Sequence, residues 1–134
     1  MSTSPPIYVA VVDDDESLCR SLGRLLTATG IQPITYLSAE SFLADTKHPQ
    51  FDCLVLDIQF DGMSGLQLQK RLATAGSRTP VIFLTAQDDP EVHEQAVAVG
   101  CAAFFKKTEA GSVVVEAIRH AIADTADRTK PSHA

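Results

Sequence analysis

Short uninterrupted apolar runs alternate along this chain with longer stretches in which apolar residues recur every three or four positions. The runs cover residues 7–12, 31–36, 53–56, 80–84 and 102–105. Continuous apolar character over four to six residues predicts strands covered on both faces. The second run is the weakest, because Pro33 interrupts it; a proline that cannot donate to a ladder is tolerated at a sheet edge.

The intervening stretches carry helix signals. Leu18, Leu22, Leu25 and Leu26 follow helical spacing, and Gly30 stands just past their end. Ser38 can cap a short helix through Ala44. Ser64 and Gln67 have the spacing of a capping box, opening a helix that runs to about residue 75 before Gly76-Ser77 breaks it. Asp89-Pro90-Glu91 supplies a cap, a first-turn proline and an acid at the positive end of a fourth helix, closed by Gly100. Val114, Ala117, Ile118, Ala121 and Ile122 form the stripe of a last one.

Strands and helices in strict alternation predict parallel strands joined by right-handed crossovers. The expected architecture is an α/β, doubly wound (βα)5 sheet of flavodoxin-like order 2-1-3-4-5, the first and third strands being the most apolar and therefore central. Residues 7–125 read as one domain, between a disordered lead over 1–6 and a polar, flexible tail over 126–134. In such sheets the site lies beyond the carboxyl ends of the strands.

Chemistry-bearing residues fall at those ends. The first strand runs into Asp13-Asp14-Asp15, the third closes on Asp57, and the fourth leads to Thr85-Ala86. Asp13, Asp14 and Asp57 would repel one another if brought together unpaired. A hard divalent cation with room for water, Mg²⁺, suits such a set, and the backbone carbonyl of Gln59 could complete its shell. A carboxylate oxygen of Asp57 could then attack a phosphorus to give an aspartyl phosphate. Phosphoryl transfer asks mainly for positioning and charge neutralisation. Lys107 could hold one phosphoryl oxygen and the Thr85 hydroxyl another, with Ala86 small enough to admit the group. Side chains alternate along a strand end, so only one of Lys106 and Lys107 should face the site. Asp15 is expected near a helix cap. Gln59 and Gln87 flank the site, either positioning hydrolytic water or simply exposed.

Composition narrows the alternatives. With 11 basic against 17 acidic residues in 134, the net charge is −6, the wrong sign for a chain built to hold nucleic acid. The three cysteines, Cys19, Cys53 and Cys101, are odd in number and widely spaced, which suits buried thiols in a reducing cytosol. The four histidines form no zinc spacing. Neither a leader pattern nor the run of about 20 apolar residues needed for a membrane span is visible, so a cytoplasmic protein is expected.

Taken together, Val11-Val12-Asp13-Asp14-Asp15-Glu16, Leu56-Asp57, Met63-Ser64-Gly65, residues 80–86 (PVIFLTA) and Phe104-Phe105-Lys106-Lys107 resemble the response-regulator receiver domains of bacterial two-component signalling. The likeness is greatest to receivers of LuxR-type regulators, here without an output domain, which implies a stand-alone or excised receiver. The resemblance implies that Asp57 is the phosphoacceptor and that Asp13 and Asp14 bind Mg²⁺, one directly and one through water. It also implies that Thr85 is the switch hydroxyl, Lys107 the phosphate-binding lysine and Phe104 the aromatic that changes rotamer. A sensor histidine kinase or histidine phosphotransfer protein would supply the phosphoryl group. A downstream protein would read the surface of the fourth helix, fifth strand and fifth helix, the domain being a monomer or a phosphorylation-dependent dimer. It would catalyse its own phosphorylation and dephosphorylation without being a turnover enzyme.

Two positions depart from the family pattern. Asp61 stands where a proline usually follows the acceptor by four residues, and Thr108 where one usually follows the lysine. A cis bond before Thr108 would cost about 3 kcal/mol, so a trans bond, or a shifted loop, is expected there. Asp61 would bind a cation or face solvent. These departures leave room for a constitutive protein-binding pseudo-receiver. An aspartyl-phosphate phosphatase is less well matched, because Gln59 occupies the place of its usual second aspartate.

Overall fold

A computed structural model describes residues 5–59, 62–87 and 89–129. The elements alternate as β1 (Tyr8–Val12), α1 (Glu16–Ala28), β2 (Gln32–Tyr36), α2 (Ala39–Ala44), β3 (Cys53–Asp57), α3 (Gly65–Thr74), β4 (Val81–Thr85), α4 (Pro90–Val99), β5 (Ala103–Lys106) and α5 (Gly111–Thr129). All strand pairings are parallel and the order is β2-β1-β3-β4-β5, as the alternation predicts. Pro33 lies on the edge strand β2, where its missing donor is harmless.

Three strands reach further toward the site than their apolar runs suggest. Asp57 pairs with Leu84 and Thr85 with Lys106, so the ladder carries through the polar residues. At the other end Ile7 and Pro80 lie just outside the strands, their carbonyls accepting from Gln32 and Leu54. Helix α5 continues to Thr129, past Ala126, where polar composition alone reads as loose tail. Residues 1–4 of the expected lead and 130–134 of the expected tail lie outside the described residues, as does Asp61.

The caps form as read. The side chains of Asp15, Ser38 and Asp89 accept first-turn N–H groups of α1, α2 and α4, and Ser64 and Gln67 complete a reciprocal box at α3. Gly30 and Gly100 take positive φ at the helix ends, a conformation open to glycine.

Each face of the sheet buries its own core, which is why the strands do not alternate in polarity. Val9, Val11, Val55, Ile82 and Leu84 pack under α1 and α5 with Leu22, Leu26, Val114 and Ile118. Ala10, Val12, Leu56, Val81 and Phe83 pack under α2, α3 and α4 with Phe42, Leu68 and Ala96. This parity decides where the polar strand ends project. Asp13 and Asp57 continue the α1/α5 side, and Thr85 continues the opposite side through Phe83. Among the described residues no helix is long and apolar enough to cross a membrane.

Candidate functional site

The first and third strands are neighbours, so their carboxyl ends bring Asp13 and Asp57 together. Both side chains are about 1% exposed, while Asp14 is exposed. A ligand atom from each of Asp13, Asp14 and Asp57 lies within 4.8 Å of the other two. Lys107 reaches into this group, with Nζ 2.9 Å from Asp57 Oδ2 and 3.0 Å from Asp13 Oδ1. Parity explains the choice of lysine. Phe105 packs on the α1/α5 side, so Lys107, two residues on, falls on the side of the two aspartates. The Lys107–Thr108 bond is trans, and the loop still delivers the lysine.

Backbone donors complete the carboxylate surroundings. Asp13 Oδ1 also accepts the Asp15 N–H at 2.9 Å, and Asp57 Oδ1 accepts the Gln59 N–H at 3.1 Å. Asp13 Oδ2 is buried without a hydrogen-bond partner. A buried anionic oxygen without a donor is costly and suits a cation. Three hard oxygen donors around it match Mg²⁺ better than a soft metal.

The electrostatics agree. Burial pushes the Asp57 carboxyl up to about 6; the nearby Asp13 charge adds to this, and Lys107 and the Gln59 N–H act against it. Burial also raises Asp13, against the Asp15 N–H and Lys107. For Lys107, burial pulls downward, but hydrogen bonds to the two carboxylates outweigh it and leave the ammonium above its usual value. One lysine therefore holds together two carboxylates that resist joint ionisation.

Thr85 is fully buried at the end of β4, on the opposite face from Asp57. Its hydroxyl is engaged with the following loop, donating to the Gln87 carbonyl at 2.8 Å and accepting the Gln87 N–H at 3.3 Å. Ala86, Gln87 and Gln59 are exposed. Phe104 is half-buried on β5, opposite Phe83 in register and one diagonal step from Thr85 on the same face. Its ring lies flat against His93 of α4, with centroids 4.6 Å apart and planes 6° apart. Sequence pattern gave no sign of that stack, because the two rings meet only through the fold.

Gly65 is a second feature the pattern understated. A Cβ there would lie 2.1 Å from the Asp57 carbonyl oxygen, so the start of α3 is pressed against the backbone of the central aspartate. The Gly65 N–H donates to Ile58 O at 3.2 Å, and the Glu40 carboxylate of α2 holds the Met63 N–H at 2.9 Å.

A family model described as the response regulator receiver domain matches residues 9–119. The transcriptional regulatory protein TdiR of Thauera aromatica is 36% identical over 115 residues, which cover 86% of this chain and 51% of TdiR. The response regulator protein TmoT of Ectopseudomonas mendocina is 32% identical over 114 residues, 85% of this chain and 52% of TmoT. The chain thus spans about half the length of these regulators. The crystal structure of FixJ-N superimposes with a TM-score of 0.80 at 31% identity, covering 90% of this chain and 96% of that one. A response regulator receiver protein from Burkholderia phymatum gives 0.76 at 38% identity, covering 87% of this chain and 95% of that one.

Proposed function

Because the chain belongs to the response-regulator receiver family of two-component signalling, we propose that Asp57 accepts a phosphoryl group from a histidine kinase or a histidine phosphotransfer protein. The observation that carries this reading is Lys107 bridging Asp57 and Asp13 beside the unpartnered Asp13 Oδ2. A carboxylate oxygen of Asp57 attacks phosphorus, the new O–P bond forms, and the P–N bond of the donor phosphohistidine breaks. The imidazole nitrogen leaves with the electron pair. Asp13, Asp14, Asp57 and the Gln59 carbonyl would hold Mg²⁺, which would offset the crowded negative charge and polarise the phosphoryl oxygens.

The chain's own groups do the rest. Lys107, already within hydrogen-bond reach of Asp57, holds the transferred group by charge. Asp57 attacks only when ionised, and its raised pKa keeps it a more basic nucleophile than a surface aspartate. The phosphoryl group then competes with the Gln87 carbonyl for the Thr85 hydroxyl. Drawing Thr85 away frees the β4–α4 loop, leaves space that the Phe104 ring can enter, and alters the α4–β5–α5 surface that a downstream protein reads. The two states differ in population rather than in fold. The domain acts as a signalling switch in the cytoplasm that turns over only its own phosphoryl group.

Intact mass after incubation with acetyl phosphate tests this, with Mg²⁺ and with EDTA, on wild type and Asp57→Asn. One Mg²⁺-dependent phosphoryl adduct on wild type, absent from the variant, is the expected result. A folded wild-type protein that takes no adduct would overturn the reading in favour of a constitutive binding module.

A further inference from the structure

We propose that His93 is a positioning residue that latches the switch in its resting state by holding the Phe104 ring outward against α4, an inference that rests on the switch reading above. Helix α4 packs beside α3, whose Gln69 donates to the Gly100 carbonyl at 3.1 Å, but it buries little of its own surface. Ala96 is its one fully buried residue, Val92 and Val99 are partly buried, and the remaining side chains face solvent. His93 is itself exposed, yet its ring covers that of Phe104 almost in parallel at 4.6 Å. The stack therefore joins a helix with a single fully buried side chain to β5 through the ring that sits diagonally beside Thr85.

The two partners face opposite demands. When Thr85 leaves Gln87, Phe104 gains room on the sheet side, but it can move inward only by giving up His93. Whatever the stack contributes to the resting state is lost in the activated state, so it opposes activation by that amount. Ring stacks of this kind shift an equilibrium by about 2- to 10-fold. His93 touches neither Asp57 nor Lys107 in this arrangement, so its influence runs entirely through Phe104.

The test is the affinity for beryllofluoride, a tetrahedral phosphoryl mimic, titrated with Mg²⁺ and followed by backbone NMR on the whole chain. His93→Ala, a favourable change on an exposed helical site, should bind about 2- to 10-fold tighter than wild type. His93→Phe, which restores a flat ring, should return to within about 2-fold of wild type. In a Phe104→Ala background the His93→Ala change should have no further effect. An unchanged or weaker affinity for His93→Ala, or the same gain with Phe104 absent, overturns the latch while leaving the switch intact. A wild-type protein that binds no beryllofluoride overturns the switch reading, and the latch with it.

Discussion

Lys107 and Asp57 are fifty residues apart in sequence and stand 2.9 Å apart at the end of the sheet. The ammonium also contacts Asp13, so it is the positive charge shared by two buried acids. Removing it leaves both carboxylates to ionise without a cation, held only by the Asp15 and Gln59 N–H groups. Lys107→Ala should therefore lower stability in EDTA at pH 8 by about 1–2 kcal/mol, less than the roughly 3–5 kcal/mol of a fully enclosed pair because water reaches the site. The deficit should shrink at pH 4, where the carboxylates can protonate, and should shrink when Mg²⁺ is added at pH 8. Thermal unfolding of wild type and variant under these three conditions checks it. A deficit of equal size in all three would show that the lysine acts by packing rather than by charge.

Asp57 makes a prediction of opposite sign. Its folded-state pKa, pushed up to about 6 by burial, lies above the ordinary 3.8, so the folded protein holds this proton more tightly than the unfolded chain. The resulting stabilisation is present in full below pH 3.8 and is lost as the pH rises through about 6. Asp57→Asn removes the charge and keeps the shape. In EDTA it should raise Tm by about 2–6 °C at pH 8 and by much less at pH 4. A Tm gain that does not grow with pH would mean that Lys107 fully compensates the buried charge.

The pattern of residues foretold much of this arrangement, and what it left out has physical causes. The runs at residues 7–12 and 53–56 identify the central strands because both sheet faces are buried, and that placement brings Asp13 beside Asp57. The choice between Lys106 and Lys107 needed the register of β5, since alternation says only that one of them faces the acids. The state of Thr85 was illegible, because a hydroxyl at a strand end can serve the site or its own loop, and here it serves Gln87. The stack of His93 on Phe104 depends on how α4 settles on the sheet, which no local spacing encodes. The strand ends lie beyond the apolar runs for a related reason. Polarity suggests that a strand stops before Asp57 or Thr85, whereas the backbone ladder is indifferent to the side chain and includes both.

Thr85 separates receiving the phosphoryl group from responding to it. Its hydroxyl pairs twice with Gln87, so Thr85→Ala strips two backbone groups of a partner and should cost about 1 kcal/mol. The variant should still take a Mg²⁺-dependent adduct on Asp57, because Lys107 and the acids are untouched. Its amide resonances at Gln87 and Phe104 should then fail to move on phosphorylation, while those of Thr85→Ser move as in wild type. Normal shifts in Thr85→Ala would exclude the hydroxyl as the link between site and surface.

Gly65 tests whether the helix behind the site matters to the chemistry. The Asp57 carbonyl occupies the space a Cβ would need, at 2.1 Å, and that obstacle is backbone in a central strand rather than a mobile side chain. Gly65→Ala must therefore push α3 and the end of β3 apart. Overpacking of this kind costs about 1–3 kcal/mol, and here the displacement falls on the residue that carries the acceptor carboxylate. Phosphorylation by acetyl phosphate should slow well beyond what the loss of stability explains. Ser64→Ala supplies the comparison, since it removes the α3 cap and costs about 1 kcal/mol without crowding Asp57. Denaturant unfolding and the time course of intact mass, measured on both variants, distinguish the two effects. Equal phosphorylation rates at equal stability would mean that the close approach of Gly65 to Asp57 serves packing alone. A rate lost only in Gly65→Ala would show that the position of the Asp57 backbone is set from behind by α3.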